Sequence, residues 1–366
     1  MSLPRVVPVT NIDEGSPEPT PRRSERAPLV WGSTGLVLVI VGLVLGSLLV
    51  GAGDTRPEQV IGYLLGDPVE RADPHLQTVV ETLRVPRTVV GALVGAAMGV
   101  AGALLQAATR NPLAETGLLG VNAGAALAVV VGITFVGAES GPAYLFWAFT
   151  GALLASAVVL LIAALGASTI SPLRLVLAGA ALGATFRGLT SWLLIKDATT
   201  YDQYRFWVLG SLSGVSGDMA TDVLPAIGVG LLVALLVARP LSALHLGDDV
   251  ARSLGHRPSV IRSVVALAVT LLAGASVALT GPIGFLGLLA PHAARFLVGP
   301  RMLAQVVLAG LLGTALLLTA DIVARVIIRP FEAPVSVLLA LVGGPALVLL
   351  TRSRRMITLT GGGGRA

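Results

Sequence analysis

Ten predominantly apolar stretches run along the chain, at 29–50, 86–107, 117–136, 144–166, 173–195, 221–238, 260–280, 283–298, 302–324 and 334–351. Short polar or Gly/Pro-rich connections separate them. Inside each stretch the apolar positions are continuous rather than alternating, which predicts helices and argues against the strands of a β-barrel. An apolar helix needs about 20 residues to cross the hydrocarbon. Most of the ten reach that length, while 117–136 and 283–298 are short or broken by Gly and Pro. The predicted fold class is an all-α polytopic membrane protein with about ten transmembrane helices. Residues 1–28, rich in Pro, Glu, Arg and Ser, predict a disordered tail. Residues 29–352 form the ten-helix domain, and 353–366 form a second tail. The run at 29–50 is too long for a signal-peptide core and lacks a small-residue cleavage site, so it reads as an uncleaved first span.

Composition agrees with this pattern. The chain is 54% hydrophobic and 12% charged, about half the charge of a soluble domain. It holds no cysteine, which excludes disulfides and thiolate metal sites. The net charge of +5 is informative through its placement. With the N-terminus inside, sixteen Lys and Arg fall on the inner side and eight on the outer, and Arg187 lies within a span. That asymmetry predicts both termini in the cytoplasm. It also places the charged connection GDDVARSLGHRP (247–258) inside and the acidic segment 51–83 outside.

Enzyme-like chemistry is missing from the sequence. There is no GxxxxGK[ST] phosphate loop, no HExxH and no carboxylate pair within a span, and the four histidines are scattered. No metal site, no cofactor bound by this chain and no nucleic-acid partner is expected. Ion-coupled carriers keep charges deep in the membrane. Here Arg187 alone is deep, and Asp321 near the outer end of its span can pair with Arg325 one turn on. An external energy source fits better than ion coupling, although an ion-coupled secondary transporter stays open as a reading from another class.

Small residues mark two features. Gly91, Gly95 and Gly99 recur every fourth residue in GALVGAAMGVAG, which puts them on one helix face where backbones approach closely. They fit packing inside one subunit, or a subunit interface or pathway wall. The segments TGLLGVNAG (116–124) and IGFLGLLAP (283–291) look alike and fall at comparable places in two halves of the chain. With five spans between them the second would be inverted, a transporter signature.

A series of motifs in order carries a family resemblance. They are LRVPR (83–87), Gln106, RNPLAETGLLGVNAGA (110–125), LVLAGAALG (175–183) and WVLGSL (207–212), followed by ARSLG (251–255), GPIGFLGLLAPHAARFLVG (281–299), ADIVAR (320–325) and EAPVSVLLALVGGP (332–345). Through them the chain resembles the membrane subunits of type II ABC importers, the iron-siderophore and cobalamin permease family. The resemblance implies ten helices per subunit and a second permease subunit, identical or not; the stretch DQYRFWVLGSL leans toward a non-identical pair. It also implies two cytoplasmic ATPase subunits that use ATP–Mg, an extracytoplasmic substrate-binding protein and residence in the bacterial cytoplasmic membrane. The expected cargo is a ferric siderophore, with cobalamin or haem as the alternatives.

The resemblance also assigns site residues. The connection at 246–258 becomes the segment that docks into the ATPase, with Asp249, Ala251, Arg252, Leu254 and Gly255 as coupling residues. Val250, Ala251 and Leu254 form a small apolar stripe that suits a groove on a soluble partner. Arg84, Arg87 and Arg325 are expected to meet acidic residues of the binding protein, with Arg329 as a helper; their alternative is pairing within the chain. Gly91, Gly95, Gly99, Gln106 and Arg187 are the pathway candidates. Arg187 departs from the family pattern. It lines the pathway and attracts an anionic chelate, or it snorkels outward.

Overall fold

The computed structural model describes residues 27–53, 55–165 and 171–352. Of the tails expected at 1–28 and 353–366, residues 1–26 and 353–366 lie outside the described residues, and Ala27 and Pro28 already belong to the first helix. Fifteen α-helices and no strand are found among the described residues. In chain order they are α1 (Ala27–Leu49), α2 (Pro57–Leu65), α3 (Pro68–Arg71), α4 (Pro74–Gln77), α5 (Val85–Thr109), α6 (Val121–Val131), α7 (Gly141–Ala164) and α8 (Pro172–Lys196). They continue with α9 (Ala198–Val208), α10 (Gly217–His245), α11 (Asp248–Ser253), α12 (Pro258–Thr280), α13 (Leu286–Val298), α14 (Met302–Val326) and α15 (Val335–Arg352).

The sequence marks where these helices begin. A proline sits in the first turn of α2, α3, α4, α5, α7, α8 and α12, where its missing N–H costs nothing and its fixed φ fits. The side chains of Ser140, Ser171, Asp197 and Ser216 accept backbone N–H groups at the starts of α7, α8, α9 and α10.

Six helical stretches are long and apolar enough to cross a membrane: Pro74–Thr109, Gly141–Ala164, Pro172–Lys196, Gly217–Leu244, Pro258–Thr280 and Met302–Val326. Four shorter apolar helices, Thr34–Leu49, Val121–Val136, Leu286–Val298 and Val335–Leu349, occupy the remaining predicted positions. The chain is therefore a multi-pass helical membrane protein. The 13 residues of α13 reach only about 20 Å, less than the roughly 30 Å of hydrocarbon. The expectation that 283–298 is a short, broken element matches this. The segment 51–83 is not a plain loop. It folds as α2, α3 and α4 and then runs into α5 through a π-helical stretch, Thr78–Arg84.

The bundle is built around α5 and α12, most of whose residues are buried inside the chain. α14, α13 and α10 surround α5, and α7 packs on α12 and α6. By contrast α7, α8 and α10 turn large apolar residues outward, among them Leu154, Leu161, Trp192, Ile195 and Leu236, as lipid-facing helices do.

Candidate functional site

Polar chemistry is gathered at the two ends of the bundle. At one end lies the 247–258 connection. Gly247 and Gly255 have φ of 119° and 81°, left-handed values that L side chains resist, and they bracket the six-residue α11. A helix this short does not stand alone; it is tied down by Asp248. The Nη2 of Arg110 donates to Asp248 Oδ1 at 2.7 Å, and Arg262 donates to both carboxylate oxygens at 2.8 and 3.0 Å. Arg110 caps α5 in a left-handed conformation and also donates to the Leu244 carbonyl at the end of α10. Arg262 is buried in α12. One carboxylate thus joins the ends of α5, α10 and α12 to the start of α11. The Arg262 hydrogen bonds hold the Asp248 carboxyl below the usual aspartate range, against its partial burial, and the charges of Arg262 and Arg110 add to this.

The predicted coupling residues divide into two sets. Leu254 and Val250 are 59% and 42% exposed. Asp249 is exposed and pairs with Arg252 at 2.8 Å, three residues on. Ala251 is fully buried against its own chain. It anchors α11, because its small side chain faces the bundle.

At the opposite end, Arg84, Arg87 and Arg325 are buried. Arg84 donates to the carbonyls of Leu48 and Leu49 at 2.9 and 3.1 Å and to the Thr55 hydroxyl. Arg325 donates to the carbonyls of Ser47 and Val50, to the Ser47 hydroxyl and to Asp321. These two guanidiniums satisfy the last carbonyls of α1, which otherwise lack donors. Arg87 reaches Asp321 at 2.8 Å and Glu332 at 2.7 Å. The Asp321–Arg325 pair read from the sequence is present; the links to Arg87 and Glu332 join positions more than two hundred residues apart and left no local signal. None of the three arginines presents a free guanidinium at this end. Arg329 is exposed there.

The glycine stripe resolves toward packing. A methyl added at Gly95 would lie 2.6 Å from Thr314 Cα and 2.7 Å from the Gly313 carbonyl oxygen, and one at Gly99 would overlap the Ala309 carbonyl. Gly91 faces Leu318. The stripe is the seam between α5 and α14, not a pathway wall within this chain, because the α14 backbone fills the space a pathway would need. Gln106 is also sealed in: its Oε1 accepts from Arg295 at 3.0 Å, and its Nε2 contacts the Gly287 carbonyl at 3.4 Å. It bolts α5 to α13. The two look-alike segments meet at this level. Glu115 accepts from the backbone N–H of Phe285 at 3.0 Å, and α6 and α13 each begin after a left-handed residue, Gly120 and Phe285. Arg187 alone among the pathway candidates is exposed.

A cleft of about 140 Å³ opens between Tyr144, Phe206, Trp207 and Met219. That is smaller than the roughly 300–1,000 Å³ of a drug-sized ligand site.

A helical bundle built around two long buried helices, with shorter apolar helices among its spans and ion-paired knots at its ends, is in class a membrane transport permease. The chain belongs to the FecCD transport family, whose model matches residues 37–353. It is 43% identical over 320 residues to the ferric enterobactin transport system permease protein FepD of Escherichia coli, covering 87% of this chain and 94% of that protein. It is 37% identical over 317 residues to the probable siderophore transport system permease protein YfiZ of Bacillus subtilis, with 87% and 94% covered. A solved ABC transporter described as of the metal-chelate type, in an inward-facing conformation, superposes with a TM-score of 0.75 at 26% identity, over 90% of this chain and 99% of that one.

Proposed function

We propose that this chain is the membrane-spanning subunit of a binding-protein-dependent ABC importer whose cargo is a ferric siderophore. Two ATPase subunits that hydrolyse ATP–Mg engage the end bearing α11, which then faces the cytoplasm together with both termini. A second permease subunit, identical or not, completes the conduit, and a binding protein delivers cargo at the opposite end. The observation that carries this reading is the exposed pair Val250 and Leu254 on a short helix pinned by Asp248. A rigidly held helix with an apolar tip transmits a partner's movement; a loose loop would absorb it. The names of the relatives favour an iron chelate, with cobalamin or haem as the alternative cargo. The small size of the cleft within one chain supports a conduit formed between two subunits.

At the delivery end, docking falls to exposed cations such as Arg329. Arg84, Arg87 and Arg325 act in docking by holding the end of α1 and the 326–334 segment in place.

The test uses the absence of cysteine. A single Leu254→Cys in the intact transporter is expected to cross-link to the ATPase subunit, and a cysteine at an exposed position of the opposite end, such as Val69, is not. Cross-linking at Val69 but not at Leu254 would reverse the assignment of the two ends.

A further inference from the structure

Arg187 has no partner that explains it. It lies in α8, nine residues before Lys196, and among the described residues no hydrogen bond, ion pair or ring contact holds it. Snorkelling toward the nearer helix end would relieve a cation in lipid. The side chain does the reverse. A methyl placed at Gly183 would sit 3.4 Å from Nη1 of Arg187, so the guanidinium lies back over the preceding turn, as helical side chains tend to. At that level it is about 17 Å from one end of α8 and about 20 Å from the other, close to mid-membrane.

Small side chains flank Arg187 on its own face. Ala180, Gly183, Ala184 and Ser191 stand three, four or seven residues from Arg187 and share its side. Of these Ala180, Ala184 and Ser191 are exposed. The other exposed positions of α8 are mixed: Leu173, Leu177, Leu189, Trp192 and Ile195 are large and apolar, whereas Ala181, Thr185 and Gly188 are small. Lipid suits the large apolar positions and not an unpaired cation at mid-membrane. Dry packing against the same helix of a symmetric copy does not suit it either, since α8 contains no carboxylate and that helix would bring only a second arginine. Water and an anion between the helices satisfy the charge.

We propose that this α8 stripe faces the water-filled conduit of the assembled transporter, and that Arg187 selects there for metal chelates of net negative charge. The proposal rests on the permease reading and names the charge class of its cargo. A fixed cation in a narrow, low-dielectric passage raises the local concentration of anions about tenfold or more.

The test uses the cysteine-free chain in its complete transporter. Ala184→Cys is labelled with two small methanethiosulfonate reagents of equal size, one carrying a sulfonate and one a trimethylammonium group. Labelling by both is expected, with the anionic reagent about tenfold favoured relative to its rate on an exposed control cysteine, and Arg187→Gln should erase that preference while Arg187→Lys keeps it. Uptake of a ferric tris-catecholate should fall about tenfold in Arg187→Gln at unchanged membrane level. Absence of labelling, a preference that survives Arg187→Gln, or undiminished catecholate uptake would each overturn the proposal. Wild-type protein that takes up no chelate with ATP sinks the permease reading instead, while the labelling result still judges Arg187 on its own.

Discussion

Replacing Asp248 with Asn tests whether α11 works as a rigid lever. The substitution keeps the shape of the side chain and removes the charge that two arginines share. Arg262 is nearly buried, and the Asp248 side chain is 28% exposed. Breaking a fully buried ion pair costs about 3–5 kcal/mol, and an exposed one about 0–1 kcal/mol. An intermediate burial gives about 1.5–3 kcal/mol. Since α11 is only six residues long, this loss falls on its seating. The ratio of seated to displaced α11 drops about ten- to a hundred-and-fifty-fold, at 1.36 kcal/mol per decade. Two measurements read this in the reconstituted transporter. Hydrogen exchange of the 247–255 amides should accelerate, and cargo moved per ATP hydrolysed should fall while the chain stays folded and assembled. The pH dependence is fixed in sign. Asp248 titrates below its ordinary range, so its contribution is complete above about pH 4 and is lost only as pH falls through the lowered value. Between pH 5 and 8 this knot adds no slope. If Asp248→Asn transports and exchanges like wild type, α11 is not held by its carboxylate and the lever argument fails.

Leu254→Glu should abolish ATP-driven uptake with normal membrane insertion, whereas Ala251→Glu should lose monodisperse protein because that side chain is fully buried; size-exclusion of detergent extracts separates the two. Arg87→Ala should destabilise the protein by about 3–5 kcal/mol, since it strips Asp321 and Glu332 of a shared cation, and a thermal melt of the purified chain checks this. Arg329→Glu should leave the melt unchanged and weaken binding-protein association most at low salt; equal binding at every salt concentration counts against its docking role. Gly99→Ala should lower thermal stability by forcing α5 off the Ala309 carbonyl, and an unchanged melt would mean the seam relaxes freely.

Much of this was legible in the sequence because membrane helices announce themselves by length and apolarity. The ten apolar stretches and the short elements at 117–136 and 283–298 came from local pattern, while the docking segment at 246–258 came from the family resemblance. The glycine stripe named its own face but not its partner, since α14 lies some two hundred residues away. The same limit governed the arginines. Arg87 and Arg325 look like exposed anchors until Glu332 and the α1 carbonyls are seen beside them. Ala251 and Leu254 are both apolar, and only the packing of α11 on the bundle decides which is buried. Arg110 and Arg262 read as inner-side charges, yet both converge on Asp248.

The central claim is that cargo movement is driven by a nucleotide-hydrolysing partner acting on α11. The most direct test reconstitutes the chain with its partner permease, ATPase and binding protein in vesicles without any ion gradient. Uptake of a ferric siderophore that starts with ATP and stops with Leu254→Glu is the predicted result. Accumulation by this chain alone on a proton or sodium gradient, without ATP, would contradict it.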